Sequence, residues 1–295
     1  MKAVVRPARR DDCINFIDIH CPELRRHARK ERLAKCGWWG DEEACVFLLR
    51  LYRGLGGEVF VAEVSNEVVG EVEVLPHSDC LLGPRAYVNV LWVKEGFRGK
   101  GVGRALVGEA VEWARNKGFE ALDTIPEEGS EGFYGRLGFE RVATQCKAMV
   151  RAGEAGGKAP AGVRGVHAQD VPAGMLLAAG TYRPGLFTWF AAWFDTFTRR
   201  HHPIAYEVTD PEVGGGPWVL LLDRFSRRGA SAVVFTRGKP GCGEVEAMAR
   251  AVAEAASASG INQVFIQTWR EYAGALRRAG YSVLRVDVPW LSLRL

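Results

Sequence analysis

Glycines at positions 99, 101 and 103 stand between a strand-like run, Ala86 to Val93, and an amphipathic run that follows at once, with Arg98, Lys100 and Arg104 interleaved. Glycine accepts the left-handed backbone that lets successive N–H groups converge, and a helix starting at that point adds partial positive charge. Such a turn binds an anion, and a pyrophosphate suits both the backbone donors and the cations around them. Further on, Phe133-Tyr134-Gly135-Arg136-Leu137-Gly138-Phe139 offers a phenol. A phenol stays protonated at neutral pH yet lies only a little above a thiol in pKa, so it can hand a proton to a departing thiolate.

Two carboxylates form a second candidate group. Alternation along Val68 to Leu75 sets Glu71 and Glu73 on one face of a strand. They read either as the wet face of a half-exposed strand or, with His77, as candidates for the base on the acceptor side.

The elements that must position these groups follow from periodicity. Leu106, Val107, Ala110, Val111, Trp113 and Ala114 recur at the spacing of one buried helix face, and Lys117 with Gly118 closes that helix. Upstream, AVVRPA predicts a strand from Ala3, followed by a helix capped at Asp11 or Asp12 and carrying Ile14, Phe16, Ile17 and Ile19. Arg25 to Lys35 predicts a basic helix with a solvated face, and Asp41 to Tyr52 a further helix. Strands are expected at Glu58–Val64, Val68–Leu75 (turning at Asn66), Ala86–Val93 and Ala121–Ile125, then a short helix from Ser130 and a strand at Phe139–Val150. A dinucleotide turn fits less well, because Leu106 stands where the third glycine of G-x-G-x-x-G belongs.

Arg98-x-x-Gly101-x-Gly103 after a strand, with FYGRLGF downstream, resembles the GNAT superfamily of acyl-CoA-dependent N-acetyltransferases over about residues 1 to 150. The resemblance implies an α/β (α+β) fold, a mixed and mostly antiparallel sheet flanked by helices. It implies acetyl-CoA as co-substrate, with its pyrophosphate in the turn Arg98, Gly99, Lys100, Gly101, Val102, Gly103 and Arg104. The pantetheine arm would lie along Leu91, Trp92 and Val93, and Tyr134 would protonate the leaving thiolate. Transfer would be direct attack of a neutral amine, without a covalent enzyme intermediate and without a metal. Two departures stand out: Glu127 occupies a place where the family often has asparagine, and Tyr87 and Asn89 occupy places where some members carry an acidic base. The base thus stays unassigned among Glu71, Glu73 and His77.

The chain has 295 residues, 47% of them hydrophobic, and a formal charge of +4, which suits an anionic co-substrate without requiring a nucleic acid. No N-terminal apolar run and no spanning stretch is present, so a cytoplasmic protein is expected. Seven cysteines without a C-x-x-C pair predict reduced thiols, and His20, Cys21, His27 and Cys36 lack the short paired spacing of a zinc site.

The length suits two domains: 1–150, a small-residue linker at 151–162, and 163–295. The second stretch starts as the first does, with a strand at Val163, a cap at Asp170 and an apolar helix to Ala179. It also ends alike: Gly260 matches Gly118, Gln263–Thr268 matches Ala121–Ile125, and Gly280-Tyr281 matches Gly138-Phe139. The anion turn is lost, since Pro240 falls opposite Arg98, Val245 opposite Gly103 and Leu276 opposite Tyr134. The expectation is a degenerate second GNAT-like domain that binds no acetyl donor. Leu186 to Phe197, with stripes at Leu186, Phe190, Trp193 and Phe197 and at Phe187 and Phe194, reads as core packing, an interdomain contact or an apolar wall of the acceptor pocket. The expected activity is acetyl transfer to the primary amine of a small molecule or peptide. A non-catalytic acyl-CoA sensor and a protein N-terminal or lysine acetyltransferase are the alternatives.

Overall fold

The computed structural model describes residues 3–153, 163–181, 183–199, 202–209 and 217–295, with no side chains described for 195–199. Residues 154–162 of the expected linker and the side chain of Phe197 therefore lie outside the described residues. The first half runs β1 (Val4–Pro7), α1 (Cys13–His20), α2 (Arg29–Cys36), α3 (Glu42–Gly54), β2 (Glu58–Val64), β3 (Glu67–Asp79), β4 (Gly83–Val93), α4 (Val102–Asn116), β5 (Ala121–Thr124), α5 (Glu131–Gly135) and β6 (Glu140–Arg151). The second runs β7 (Val163–Val166), β8 (Leu176–Gly180), α6 (Gly185–Arg199), β9 (Ile204–Val208), β10 (Trp218–Arg224), β11 (Gly229–Thr236), α7 (Cys242–Ala258), β12 (Gln263–Trp269), α8 (Ala273–Arg278) and β13 (Ser282–Arg294).

Among the described residues the strands form one sheet in the order β1-β2-β3-β4-β5-β13-β6-β12-β8-β11-β10-β9-β7. Neighbours are antiparallel except for short parallel contacts, chiefly β4 with β5 and β11 with β12. The halves interlock by exchanging their last strands. β13 pairs with β5 from Leu291–Thr124 to Arg294–Ala121, and β6 pairs with β12 from Gln145–Trp269 to Arg151–Gln263. Residues 151–162 thus divide the sequence without dividing the sheet.

The hairpin between β2 and β3 turns at Ser65 and Asn66, both at positive φ, as a two-residue connection between right-twisted strands requires. Helix α4 buries Leu106, Val107, Ala110 and Ala114 on one face of β2 to β5, together with Val72, Val88 and Tyr134. Leu106 is fully buried, so its truncation to alanine would cost about 2–5 kcal/mol. The opposite face is covered by α1 and α3, with Phe16, Leu48 and Tyr52 against Val59, Val61 and Leu75. Helix α6 joins this second layer: Phe187 and Ala191 pack into it, and Phe194 stacks on Phe47 at 4.1 Å. Its other side packs Trp189 and Ala192 against the second half's own sheet. The apolar stripes of α6 therefore serve both as core and as the contact between halves.

Three expectations are corrected. The cysteines are not all reduced thiols: Cys13 pairs with Cys45 and Cys21 with Cys36, at Cα separations of 5.7 and 6.1 Å, leaving Cys80, Cys146 and Cys242 free. The partners lie 32 and 15 residues apart, on different helices or their ends, a proximity that sequence spacing does not reveal. The stretch expected as an apolar helix to Ala179 contains strand β8 instead. Asp170 does accept a bond from the His167 N–H at 2.8 Å, but it closes a turn. Leu176 to Gly180 is extended because β11 and β12 diverge beyond Ser231–Phe265, and β8 pairs with both across the gap. Finally, β3 runs on to Asp79, past the expected end at Leu75, and so takes His77 into the sheet.

The basic stretch from Arg25 to Lys35 is neutralised in part within the chain. Arg25 pairs with Asp18, Arg29 with Asp41 and Glu43, and Lys35 with Glu31. Among the described residues no helix is long and apolar enough to cross a membrane.

Candidate active site

The site is organised by an irregularity where β3 meets β4. Glu73 pairs with Val90 but Val74 with Val88, so Asn89 is an extra residue in β4, a β-bulge. A bulge redirects side chains and bends its strand. Leu91 and Val93 now pack toward α4 with Val88, while Asn89 and Trp92 turn to the α1 and α3 side. β4 meets β5 only at Ala86–Leu122 and Tyr87–Asp123. From Val88 to Val93 it has β3 on one side and, among the described residues, no strand on the other, so its edge amides face the opening between β4 and β5.

On the α1 and α3 side of that opening lie Glu71 and Glu73, 0% and 1% exposed. They are therefore not the wet face of a half-exposed strand, because α1 and α3 cover them. The Tyr52 hydroxyl, from α3, donates to Glu73 Oε2, and Asn89 Nδ2 donates to the same oxygen at 3.1 Å. His20 Nε2, at the end of α1, lies 2.5 Å from Glu71 Oε1, and its ring stacks on Trp39 at 4.6 Å and approaches Trp92 at 5.8 Å. Glu71 Oε2, Glu73 Oε1 and Asn89 Oδ1 are buried acceptors without a partner among the described residues. Burial, followed by the adjacent Glu71 charge, pushes the Glu73 carboxyl up to about 8, with Tyr52, Asn89 and the Arg183 guanidinium acting in the opposite direction. Burial and the Glu73 charge hold the Tyr52 phenol well above its usual range, so it remains a donor. Unmet acceptors of this kind suit a cationic or N–H-bearing group.

On the other side lies the anion turn. Gly99 and Gly101 sit at φ of 73° and 86°, and Gly101 caps α4 without any side chain bonded to the first-turn amides. Gly103 serves differently: a Cβ there would come within 3.2 Å of the Phe133 ring, so glycine lets α4 pack against α5. Lys100 and Arg104 are exposed beside the turn. Arg98 folds back, its Nε donating to the Val93 carbonyl at 2.9 Å and its guanidinium 5.3 Å above the Trp92 ring. An uncapped left-handed turn continuous with an open strand edge fits the phosphates and amide arm of acetyl-CoA. Glu127 lies exposed beyond β5, and its backbone carbonyl accepts from the Ser130 hydroxyl.

Tyr134 is buried below this opening, between Phe133 and Phe139 at 5.1 and 5.3 Å. Burial pushes its phenol up to about 12, with a bond to Thr124 opposing. The near match to a thiol expected from an ordinary phenol is therefore not met, and the hydroxyl is a firmer hydrogen-bond donor than proton donor. Thr124 in turn donates to the Val88 carbonyl at 3.3 Å, one residue before the bulge. His77 lies further along β3, four residues beyond Glu73. It is neutral, with burial lowering it to about 4, and its ring stands 5.4 Å from Tyr87 and 5.5 Å from Trp290.

Sequence reasoning missed Tyr52, His20 and Trp39. Tyr52 lies on an ordinary apolar helix face, and nothing in its spacing distinguishes a catalytic phenol from a core one. The Cys21 and Cys36 raised as metal ligands are bonded to each other, and His20 faces Glu71.

The model of the acetyltransferase (GNAT) family matches residues 16–139. An uncharacterized N-acetyltransferase of Methanocaldococcus jannaschii is 28% identical over 145 residues, covering 46% of this chain and 60% of the relative. N-acetyltransferase 8F1 of Rattus norvegicus is 30% identical over 141 residues, covering 46% and 62%. The chain thus spans about three fifths of the length of these relatives. A solved GCN5-related N-acetyltransferase from Kribbella flavida shares the fold over 99% of this chain and 72% of its own, with a TM-score of 0.59 at 14% identity. The turn and the splayed strands thus fall within the residues that match the acetyltransferase (GNAT) family, all of them in the first half of the chain.

Proposed function

We propose that the chain is an acetyl-CoA-dependent N-acetyltransferase acting on a primary amine, with Glu73 as the base. The observation that carries this is a buried carboxyl poised near 8, with one free oxygen, beside the bulge that opens β4. A base with that pKa removes a proton efficiently near neutral pH, and Tyr52 and Asn89 hold its other oxygen in place. Bound acetyl-CoA would supply an activated acetyl thioester, its phosphates on Gly99 to Arg104 and its arm along Leu91, Trp92 and Val93. Glu73 accepts the ammonium proton, which frees the nitrogen lone pair to form the new C–N bond as the C–S bond breaks, and the second proton that the nitrogen sheds goes to the departing sulfur, leaving amide and free thiol. The Tyr134 hydroxyl donates a hydrogen bond to the sulfur side and steadies its charge.

The second half, on this reading, is a degenerate copy of the first. Its elements correspond: Phe119 N–H bonds to Ala114 and Ile261 N–H to Ala256, and Phe139 N–H bonds to Tyr134 and Tyr281 N–H to Leu276. Three features argue against a donor site there. β8 fills the gap between β11 and β12, Gly241 caps α7 in an extended rather than left-handed conformation, and Glu244 accepts from the Gly241 N–H where phosphate would sit.

The test is coenzyme A thiol release with saturating acetyl-CoA and excess primary amine across pH. Wild type should show kcat/KM rising with an apparent pKa near 8, and Glu73→Gln should lose that limb and at least 100-fold in rate. An unchanged profile in the variant would reject Glu73 as base. The absence of turnover above thioester hydrolysis with any amine would favour the acyl-CoA sensor.

A further inference from the structure

A cavity of about 190 Å³ lies between the halves, on the same face of the sheet as Glu73. Leu75 forms its floor, two residues beyond Glu73 in β3 and so on the same side of the strand. The opposite wall comes from the second half, through Met175, Leu186, Phe187 and Phe235. Gly185 allows that wall to close in, since a Cβ there would fall 2.7 Å from the Phe235 ring. Phe187 links cavity and carboxylate: its ring stands 5.0 Å from that of Tyr52, whose hydroxyl donates to Glu73. None of the lining residues is charged, and the polar side chains among them are His77, held neutral by burial, and Ser78.

We infer that this cavity receives the body of the acceptor, and that the acceptor is a primary amine carried on an uncharged apolar group of about six carbons. An apolar cavity of about 150 Å³ in another protein takes up benzene, so this one admits a six-carbon body with little to spare. A second charge on the acceptor would be left among Leu75, Met175, Leu186 and Phe235 with no partner, while the first reaches the free oxygen of Glu73 only by parting Phe187 of the wall from Tyr52, whose rings stand 5.0 Å apart. The second half thus sets acceptor specificity while the first holds donor and base. This rests on the proposed amine transfer.

The test compares linear alkylamines from ethyl to decyl, together with the near-isosteric pair pentylamine and 1,4-diaminobutane, by thiol release at saturating acetyl-CoA. kcat/KM should rise about fourfold per methylene up to about hexyl and then flatten. Pentylamine should exceed 1,4-diaminobutane at least tenfold. Met175→Trp, which fills the cavity, should abolish the rise with chain length while calorimetric affinity for acetyl-CoA stays unchanged. Met175→Ala should move the plateau to longer chains, and it covers the case in which the tryptophan variant misfolds. Equal turnover of the isosteric pair, or a rise that persists in both variants, would overturn the proposal. Should no amine turn over, hexylamine binding measured by calorimetry decides separately: binding that Met175→Trp abolishes keeps the pocket and rejects the transferase, and no binding rejects the pocket.

Discussion

Asn89 Nδ2 meets Glu73 Oε2 at 3.1 Å because Asn89 is the residue by which β4 outruns β3. The bond stabilises the carboxylate form, and a second carboxylate at that position would do the reverse. Asn89→Asp should therefore move the rising limb of the pH–rate profile upward by about one unit. A profile that shifts downward or stays fixed would detach Asn89 from the base.

The Glu73 proton also couples to stability. Folded, this carboxyl stays protonated up to about pH 8, against an ordinary value of 4.5. Between these values the folded state binds more protons than the unfolded one, so the group's contribution favours folding below pH 4.5 and is lost as pH rises toward 8. Glu73→Gln has nothing to ionise there. Its Tm relative to wild type should climb across that window, and a difference independent of pH would mean that Glu73 is ionised throughout in the fold.

Acetyl-CoA should bind once per chain. Calorimetry should give a stoichiometry near one, abolished by Gly101→Asp, because a side chain strains the left-handed cap and a carboxylate repels phosphate. Two equivalent sites would contradict the reading of β8 as filling the second opening.

Tyr134→Phe should leave the cofactor affinity within a few-fold and lower kcat on the order of 100-fold, since only the hydroxyl beside Thr124 is removed. Because the phenol lies at about 12, no limb near neutral pH should disappear with it. Wild-type turnover with a raised KM for acetyl-CoA would make the hydroxyl a positioning group.

Thiol titration in denaturant should count three reactive cysteines before reduction, Cys80, Cys146 and Cys242, and seven after it. Reduction should lower stability by about 3 kcal/mol per bridge on the loop-entropy model. Seven thiols without reductant would restore the reduced state expected from spacing.

The sequence by itself determined whatever is local. The turn from Arg98 to Arg104, the α4 periodicity, the Tyr134 motif and the alternation placing Glu71 beside Glu73 each depend on residues within a few positions of one another, where backbone preference and spacing decide the geometry. The match of Gly118 with Gly260 and of Gly138 with Gly280 was legible for the same reason, since positive φ at a helix end leaves glycine in the text. Only the tertiary structure decided the rest. The bulge at Asn89 carries no glycine or proline to mark it, because the register of β3 against β4 creates it. Tyr52 and His20 reach the carboxylates across 21 and 51 residues of chain. Leu176 to Gly180 became a strand because two other strands left a gap with unpaired amides. β6 pairs with β12 and β13 with β5, partners far apart in sequence, and such pairing is settled only once the strands meet in the fold.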